Sequence, residues 1–410
     1  MKILHFADVH IGVENYGRVN PATGLNTRLE DFLRALDMLV DTALSEAVDL
    51  VLFAGDAFKV NEPTNTHQRV FAERIRRLSD AQIPVFLLIG NHDQTNRYGD
   101  SHALDIYATL QVPGVYVSDR PQLTRLDLRS GPLQIVSLPH VSKSALMAIE
   151  GMSRLDFATV DRTLIEQVDD ILAYFAQELD PNIPAILAAH VGVEQAKLGS
   201  EHTMSIGYGF TLPLGVLARP EYQYVALGHI HKHQVLCQDP PVVYPGSLER
   251  VDFGEEKEDK GFIIIDLAPE QPAQWRFVTV PSRRFITLDI DLQNKEQPTA
   301  YLLDKIAAAR VADAIVRVTY TLEAPRVEEV DSRALRKALE PAFHATIRPI
   351  LQAFNERIRM PDLNETEAPR NPLQTLESYL TRRNDLATHK DALMERAKGL
   401  WQQVSGQPTD

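Results

Sequence analysis

Tyr222-Gln223-Tyr224-Val225-Ala226-Leu227-Gly228-His229-Ile230-His231 is the stretch from which the rest of the chain is best read. The apolar run from Tyr222 to Leu227 predicts a buried strand, and the glycine and histidines mark its end. Residues two apart in an extended segment project to the same side. His229 and His231 therefore point together out of a strand end. Taken alone, such a pair is as readily a surface pair or a satisfied core pair. It gains meaning because strand ends of the same kind recur upstream, at Asp8 and His10, at Asp56, at Asn91 and His92, and at His190.

Around this stretch the hydrophobic pattern predicts layered α/β units. An alternating strand over 2–7 is followed by a polar loop over 12–25. A capping box, Thr27-x-x-Glu30, opens a helix whose apolar positions run from Leu29 to Ala43. A strand over 49–54, a helix over 64–80 and a strand over 83–89 come next. Two strand–helix–strand units in succession argue for an α/β core. Residues 133–138 and 183–189 add strands, and 161–177 an amphipathic helix. From Gln234 the helices stop, and 242–245, 261–267 and 275–280 read as strands, so the second half is expected to be rich in antiparallel pairing. The fold class expected is α/β, a two-sheet α/β sandwich.

Composition shifts near Pro281-Ser282-Arg283-Arg284. Beyond it, strands over 285–292, 314–321 and 343–350 alternate with helices over 298–310 and 332–339, predicting a small βαβαβ capping domain. Residues 359–372 are aperiodic and read as a linker. Asn371-Pro372 offers an N-cap and a first-turn proline for a helix reaching about Gln403. The expected division is 1–282 for the core, 283–352 for the cap, and 353–410 for the linker and a C-terminal helix that folds back or docks onto a partner.

The 410 residues carry 44% hydrophobic and 24% charged residues, the balance of a globular chain with one large core. A net charge of −14 gives no global attraction for nucleic acid, so any polyanion site must be local or built on metals. Cys237 is the single cysteine, which excludes an internal disulfide framework and a cysteine-based zinc site. The N-terminal apolar run is too short for a signal peptide, and no run approaches the roughly 18 apolar residues of a membrane helix. A cytoplasmic location, with no membrane, is the expectation.

In open α/β sheets ligands gather beyond the carboxyl ends of strands. Carboxylate, imidazole and amide oxygen together suit Mn, Fe or Zn. Asp8, His10, Asp56, Asn91, His190, His229 and His231 are more donors than one ion needs. The count favours two metals and a bridging carboxylate.

The series D-x-H, G-D, G-N-H-D, H and G-H-x-H resembles the calcineurin-like metallophosphoesterase superfamily. The resemblance implies that Asp56 bridges two divalent ions, with Mn2+ the expected identity. It implies that Asp8, His10 and His231 complete one ion site, and Asn91, His190 and His229 the other. Downstream, Tyr244-Pro245-Gly246-Ser247-Leu248-Glu249-Arg250, Asp252-Phe253-Gly254-Glu255 and Asp259-Lys260-Gly261-Phe262 resemble the SbcD family of double-strand-break repair nucleases. That narrower resemblance implies a DNA substrate cut by exo- and endonuclease action, a capping domain, a homodimer contact through 64–80 and 102–110, and a C-terminal helix that grips an SbcC-like coiled-coil ATPase.

Several side chains carry open alternatives. His92, beside a ligand without being needed as one, is expected to stabilise the transition state or protonate the leaving oxygen. Asp93 orients the His92 ring or stabilises the turn. Lys59 stands where many relatives have histidine, and either contacts phosphate or is solvated. Arg250, Lys257 and Lys260 contact phosphates or form a solvated run with Glu255, Glu256 and Glu258. His140 and His233 are nearer the strand ends than the remaining histidines, and His5 is expected in the core or at an edge. Two further readings compete with the DNA nuclease: a small-molecule phosphodiesterase or phosphatase on the same core, and a non-catalytic scaffold. The complete donor set speaks against the scaffold, and the 244–262 string against the small-molecule enzyme.

Overall fold

The computed structural model describes residues 1–94, 101–141, 157–197, 210–269, 271–352, 372–381, 386 and 389–405. Met1–Leu351 forms one compact unit and Gln352–Asp410 a second.

In the first unit the chain runs β1 (Lys2–Phe6), α1 (Thr27–Ser45), β2 (Leu50–Phe53), α2 (Asn65–Asp80), β3 (Val85–Leu88), α3 (Asp105–Thr109) and β4 (Val115–Ser118). It continues through β5 (Gln122–Leu128), β6 (Gly131–Leu138), α4 (Phe157–Glu178), β7 (Ala185–His190), β8 (Gly192–Val193), β9 (Thr211–Leu212), α5 (Leu214–Leu217) and β10 (Tyr224–Gly228). Then come β11 (Gln234–Gln238), β12 (Pro241–Tyr244), β13 (Gly261–Asp266) and β14 (Gln274–Thr279). One six-stranded sheet has the order β14-β13-β1-β2-β3-β4, and a second has β11-β12-β10-β7-β6-β5.

Strands β1, β2, β3 and β4 pair in parallel, as do β6, β7, β10 and β12. Antiparallel pairs are confined to the margins: β1–β13–β14, β11–β12 and β5–β6. The expectation of an antiparallel-rich second half therefore holds only at the edges. Central strands are buried on both faces, as parallel strands between layers must be. Alternate residues split between two environments. Ile3, Leu50, Leu52, Phe86 and Leu88 pack against Ile135, Ile186, Ala188 and Ala226 of the other sheet. Leu4, Phe6, Val51 and Phe53 pack under α1 and α2, while Leu187, Ala189, Val225 and Leu227 pack under α4. The result is a helix–sheet–sheet–helix sandwich with the α/β class expected.

The capping box is not formed as read. Asn26 is the N-cap of α1, and its side chain accepts the N–H of Arg28. Glu30 turns outward instead, accepting from Asn20 Nδ2 at 2.9 Å and from Thr23. Asn is as good a cap as Thr, and here it closes the loop that precedes the helix.

Residues 285–352 form β15 (Phe285–Asp291), α6 (Pro298–Ala308), β16 (Ile315–Glu323), α7 (Ser332–Ala338) and β17 (His344–Gln352), with the sheet order β15-β16-β17. They carry a hydrophobic cluster of their own, including Leu302, Ile306, Val316, Val318, Tyr320 and Leu335. Charges and aromatic rings fasten this part to the core. Arg283 grips Asp31 of α1 with Nε and Nη2, both at 2.6 Å. Its N–H meets both Glu249 oxygens at 3.0 Å, and its guanidinium lies 3.8 Å from the Phe343 ring centroid. Phe285 meets Phe253 and Tyr16 edge-on, and Tyr16 contacts His344.

Among the described residues the second unit has two helices, α8 (Pro372–Thr381) and α9 (Lys390–Ser405), where a single long helix is expected. Lys390 and Glu377 pair between them at 3.5 Å. The predicted linker over 359–372 lies outside the described residues except Pro372, which opens α8.

The Asp31 carboxylate, 1% exposed, is shared by Arg28, Arg34 and Arg283. Replacing it leaves the buried Arg28 and the half-buried Arg283 short of counter-charge, with Glu249 at 3.7 Å from Arg28 as partial compensation. Asp31→Ala is expected to lower stability by about 3 kcal/mol, read from urea unfolding followed by circular dichroism. A loss below about 1 kcal/mol, the range of an exposed pair, would count against the network.

Candidate metal centre

The ends of β1, β2, β3, β7 and β10 meet at one edge of the sandwich. Segments 8–11 and 55–58 leave β1 and β2 side by side, with Asp8 N–H bound to Gly55 O at 2.9 Å and His10 N–H to Asp56 O at 3.1 Å. Asp8, His10, Asp56 and His229 all hold left-handed backbone, with φ of 53°, 51°, 63° and 103°. Such conformations cost about 1–3 kcal/mol each in a non-glycine residue, and persist where the surroundings over-determine them. Gly228 is required by contact: a Cβ there would lie 2.1 Å from Ala54 O. Only glycine lets the end of β10 pass the end of β2 this closely.

All seven predicted donors are brought together. His231 Nε2 lies 2.8 Å from His10 Nε2, and Asp8 completes a trio whose ligand atoms fall within 4.8 Å of one another. On the other side Asn91 Oδ1 lies 2.9 Å from His190 Nε2 and 3.0 Å from His229 Nδ1. Asp56 Oδ2 stands between the groups, 3.3 Å from His190 Nε2 and 3.7 Å from His10 Nε2. Lone-pair atoms facing each other at these distances fit cations between them. Two nitrogen-and-oxygen sets sharing one carboxylate fit a pair of divalent ions.

The supporting contacts are specific. His190 Nδ1 donates to Ala54 O at 2.7 Å, which leaves Nε2 as the free atom. Asp8 accepts the His229 N–H at 3.0 and 3.1 Å and so ties β10 to β1. Asp56 Oδ1 accepts the His92 N–H at 2.8 Å. The His92 ring sits 4.9 Å from that of His10, centroid to centroid, and its Nδ1 donates to Lys59 O at 2.8 Å.

Asp93 does not orient His92. Its carboxylate accepts backbone N–H groups from Asp56 at 2.9 Å, Ala57 at 3.0 Å and Gly90 at 3.1 Å. It is a clamp between two strand-end turns, the turn-stabilising alternative, and the Lys59 carbonyl performs the orienting task. Arg250 is also corrected. Its guanidinium is committed to Glu255 O, Ser282 Oγ, Arg283 O and Glu258 O, so its donors face the chain rather than a ligand. Lys260 is buried, with Nζ 2.8 Å from Glu255 and 3.0 Å from His231 O. The Lys59 ammonium has no hydrogen-bond or ion-pair partner among the described residues, and the residue is half-buried at the site.

His5 is a core residue between Tyr224 Oη and Leu227 O. His233 stacks on Phe277 at 4.1 Å and meets Tyr244 O. His140 stacks on His229 with centroids 6.0 Å apart, and its backbone N–H reaches Ile89 O. Sequence reasoning passed over Glu255, placed among solvated charges, which meets His231 Nδ1 at 2.8 Å. The Asp252-Phe253-Gly254 turn before it, with Asp252 accepting the Gly254 N–H at 2.7 Å, was the available signal that this run is folded inward.

The site's charges are strongly perturbed. Burial pushes Asp8 up to about 7 against the pull of His190 and His231. Burial also lowers His229 to about 3, helped by His190 and His140, and holds His10 well below the usual imidazole range. For His190 burial is outweighed by Asp56 and Asp8, and its pKa rises to about 9. Burial opposes the Asp56 carboxylate too, but His190 and His10 hold it well below the ordinary range. Opposed shifts among touching groups at the mouth of strand ends mark a functional centre.

A family model described as calcineurin-like phosphoesterase matches residues 1–233. The chain belongs to that family. The chain is similar to the DNA double-strand break repair protein Mre11 of Archaeoglobus fulgidus, 25% identical over 358 residues, covering 82% of this chain and 73% of that one. The SbcD component of the SbcCD nuclease of Bacillus subtilis is 25% identical over 364 residues, covering 87% of each. Both similarities are longer than the 233 residues that the family model matches.

Asp93→Ala would remove the acceptor of four buried backbone N–H groups, those of Asp56, Ala57, Phe58 and Gly90, at about 1–3 kcal/mol for each left unsatisfied. A clear fall in melting temperature is expected by circular dichroism, whereas His92→Ala should melt with the wild type. Equal melting of Asp93→Ala and wild type would contradict the clamp.

Proposed function

We propose that the protein is the nuclease subunit of an SbcC–SbcD-type complex, hydrolysing DNA phosphodiester bonds at two divalent ions, with Mn2+ the favoured metal. The observation that carries the reading is the convergence of seven donors from five strand ends, three on either side of Asp56 Oδ2. The names and coverage of the relatives supply the substrate class.

In this reading Asp8, His10 and His231 hold one ion, Asn91, His190 and His229 the other, and Asp56 both. Bound there, divalent ions acidify water and neutralise phosphoryl charge. His92 acts from the side: with Nδ1 donating to Lys59 O, its Nε2 is free to exchange a proton with the leaving oxygen. Lys59, unpaired and half-buried beside it, contacts a backbone phosphate. Because the chain carries a net charge of −14, DNA is held through the metals and such local groups rather than by an overall field.

The division into a core over 1–282, a cap over 283–352 and a partner-binding segment over 353–410 belongs to the same proposal, supported by the cap's own hydrophobic cluster. So does docking of an SbcC-like coiled-coil ATPase on the C-terminal helices. A homodimer through α2 and α3 is supported by exposed Ile106 and Leu110 near Tyr116, although Val70, Phe71, Ile75 and Leu78 of α2 face the core. No described helix is long and apolar enough to cross a membrane; a cytoplasmic place of work belongs to the same proposal.

The test is nuclease activity with Mn2+ or Mg2+, on single- and double-stranded DNA and on a nitrophenyl phosphodiester, with and without the ATPase. His92→Ala should still bind two Mn2+ yet lose roughly 10² or more of its nuclease activity. Cleavage of the nitrophenyl ester with DNA left intact under every condition would reassign the protein to small-molecule chemistry.

A further inference from the structure

The two halves of the centre are supported differently. His190 leans through Nδ1 on a neutral carbonyl, Ala54 O at 2.7 Å. His229 uses Nδ1 itself toward Asn91. His231 alone among the three is backed by a carboxylate, with Nδ1 2.8 Å from Glu255 Oε1.

That carboxylate is fixed in place. Glu255 Oε2 accepts the Val251 N–H at 3.0 Å and pairs with Lys260 Nζ at 2.8 Å, while Ser247 Oγ lies at 3.4 Å. Glu255 is 0% and Lys260 1% exposed. The same segment holds the other end of the residue: Ser247 N–H and Lys260 Nζ both reach His231 O at 3.0 Å. A Cβ at Gly246 would lie 2.6 Å from that carbonyl, so the segment is packed onto His231.

We infer that Glu255, held by Lys260, is a positioning residue for one ion only: it fixes the His231 tautomer with the proton on Nδ1 and presents Nε2 to the ion shared with Asp8 and His10. A carboxylate can only accept, so the Nδ1 proton is placed by the contact. Partners of this kind govern metal affinity by about 10- to 100-fold. The inference rests on the two-ion reading above, and the experiment separates the two.

Metal-free full-length protein is titrated calorimetrically with Mn2+ as wild type, Glu255→Gln and Glu255→Ala. In the variants one of two binding events should weaken by about 10- to 100-fold, with the other unchanged. In parallel, long-range 1H–15N correlation of the His231 ring, assigned by loss of its signals in His231→Gln, should show the wild-type proton on Nδ1. The Glu255→Ala ring should shift toward the Nε2–H form. Folded variants with two unweakened events overturn the inference, as does equal weakening of both. Should the variants fail to fold, the wild-type spectrum decides, and an Nε2–H tautomer at His231 overturns it. A wild type that binds no Mn2+ defeats the two-ion reading while the tautomer still judges Glu255.

Discussion

The carbonyl oxygen of Ala54 is a point of close approach between the two sheets, and the site depends on that approach. It accepts the Nδ1 proton of His190, from the second sheet, at the end of a strand in the first. Gly228 passes so near it that no side chain would fit. If the sheets were further apart by the width of a methyl group, His190 and His229 could not share Asn91, and Asp56 could not reach both sides. The sandwich core between the sheets, from Ile3 and Leu52 to Ile186 and Ala226, sets that separation. Hydrophobic packing thus determines a distance that the polar chemistry then uses.

Around this point, carboxylates hold backbone as often as they face the donors. Asp93 gathers the N–H groups of two turns, Asp8 ties down His229, and Glu255 braces His231. Each is almost inaccessible to solvent. Buried negative charge on this scale needs compensation. Backbone N–H groups supply it for Asp93 and Lys260 for Glu255, whereas Asp8 and Asp56 face each other with imidazoles. Divalent cations are the compensation best suited to that pair.

Much of this was legible because strand ends announce themselves in sequence. Alternating or continuous apolar runs that stop at Gly-Asp, Gly-Asn-His-Asp or Gly-His-x-His name both the strand and the residue beyond it. The strands and helices of residues 285–352 were equally readable, since their alternation of period two and period three-to-four is short and regular. The pattern could not supply pairing at the margins. The strands Gln122–Leu128 and Gln234–Gln238 are half-exposed and mixed in composition, so they give no clean period. Nor could it supply the partners of polar side chains. Arg250 and Lys260 sit among glutamates in a run that looks solvated, and only the fold shows them turned inward onto carbonyls and Glu255. Asp93 follows His92 in sequence, but its carboxylate points away from that ring.

One adjacency links β15 to the donor cluster. Glu255 braces His231, and the next residue, Glu256, accepts the Thr287 N–H of β15 at 3.1 Å. Phe253, two residues earlier, lies between Phe285 and the guanidinium of Arg317. Consecutive α-carbons are about 3.8 Å apart, so the brace and the anchor share a single peptide unit. Sliding β15 by more than the tolerance of one hydrogen bond must either break that anchor or tug on the brace. Glu255 and Glu256 thus join β15 to the His231 imidazole through one peptide unit.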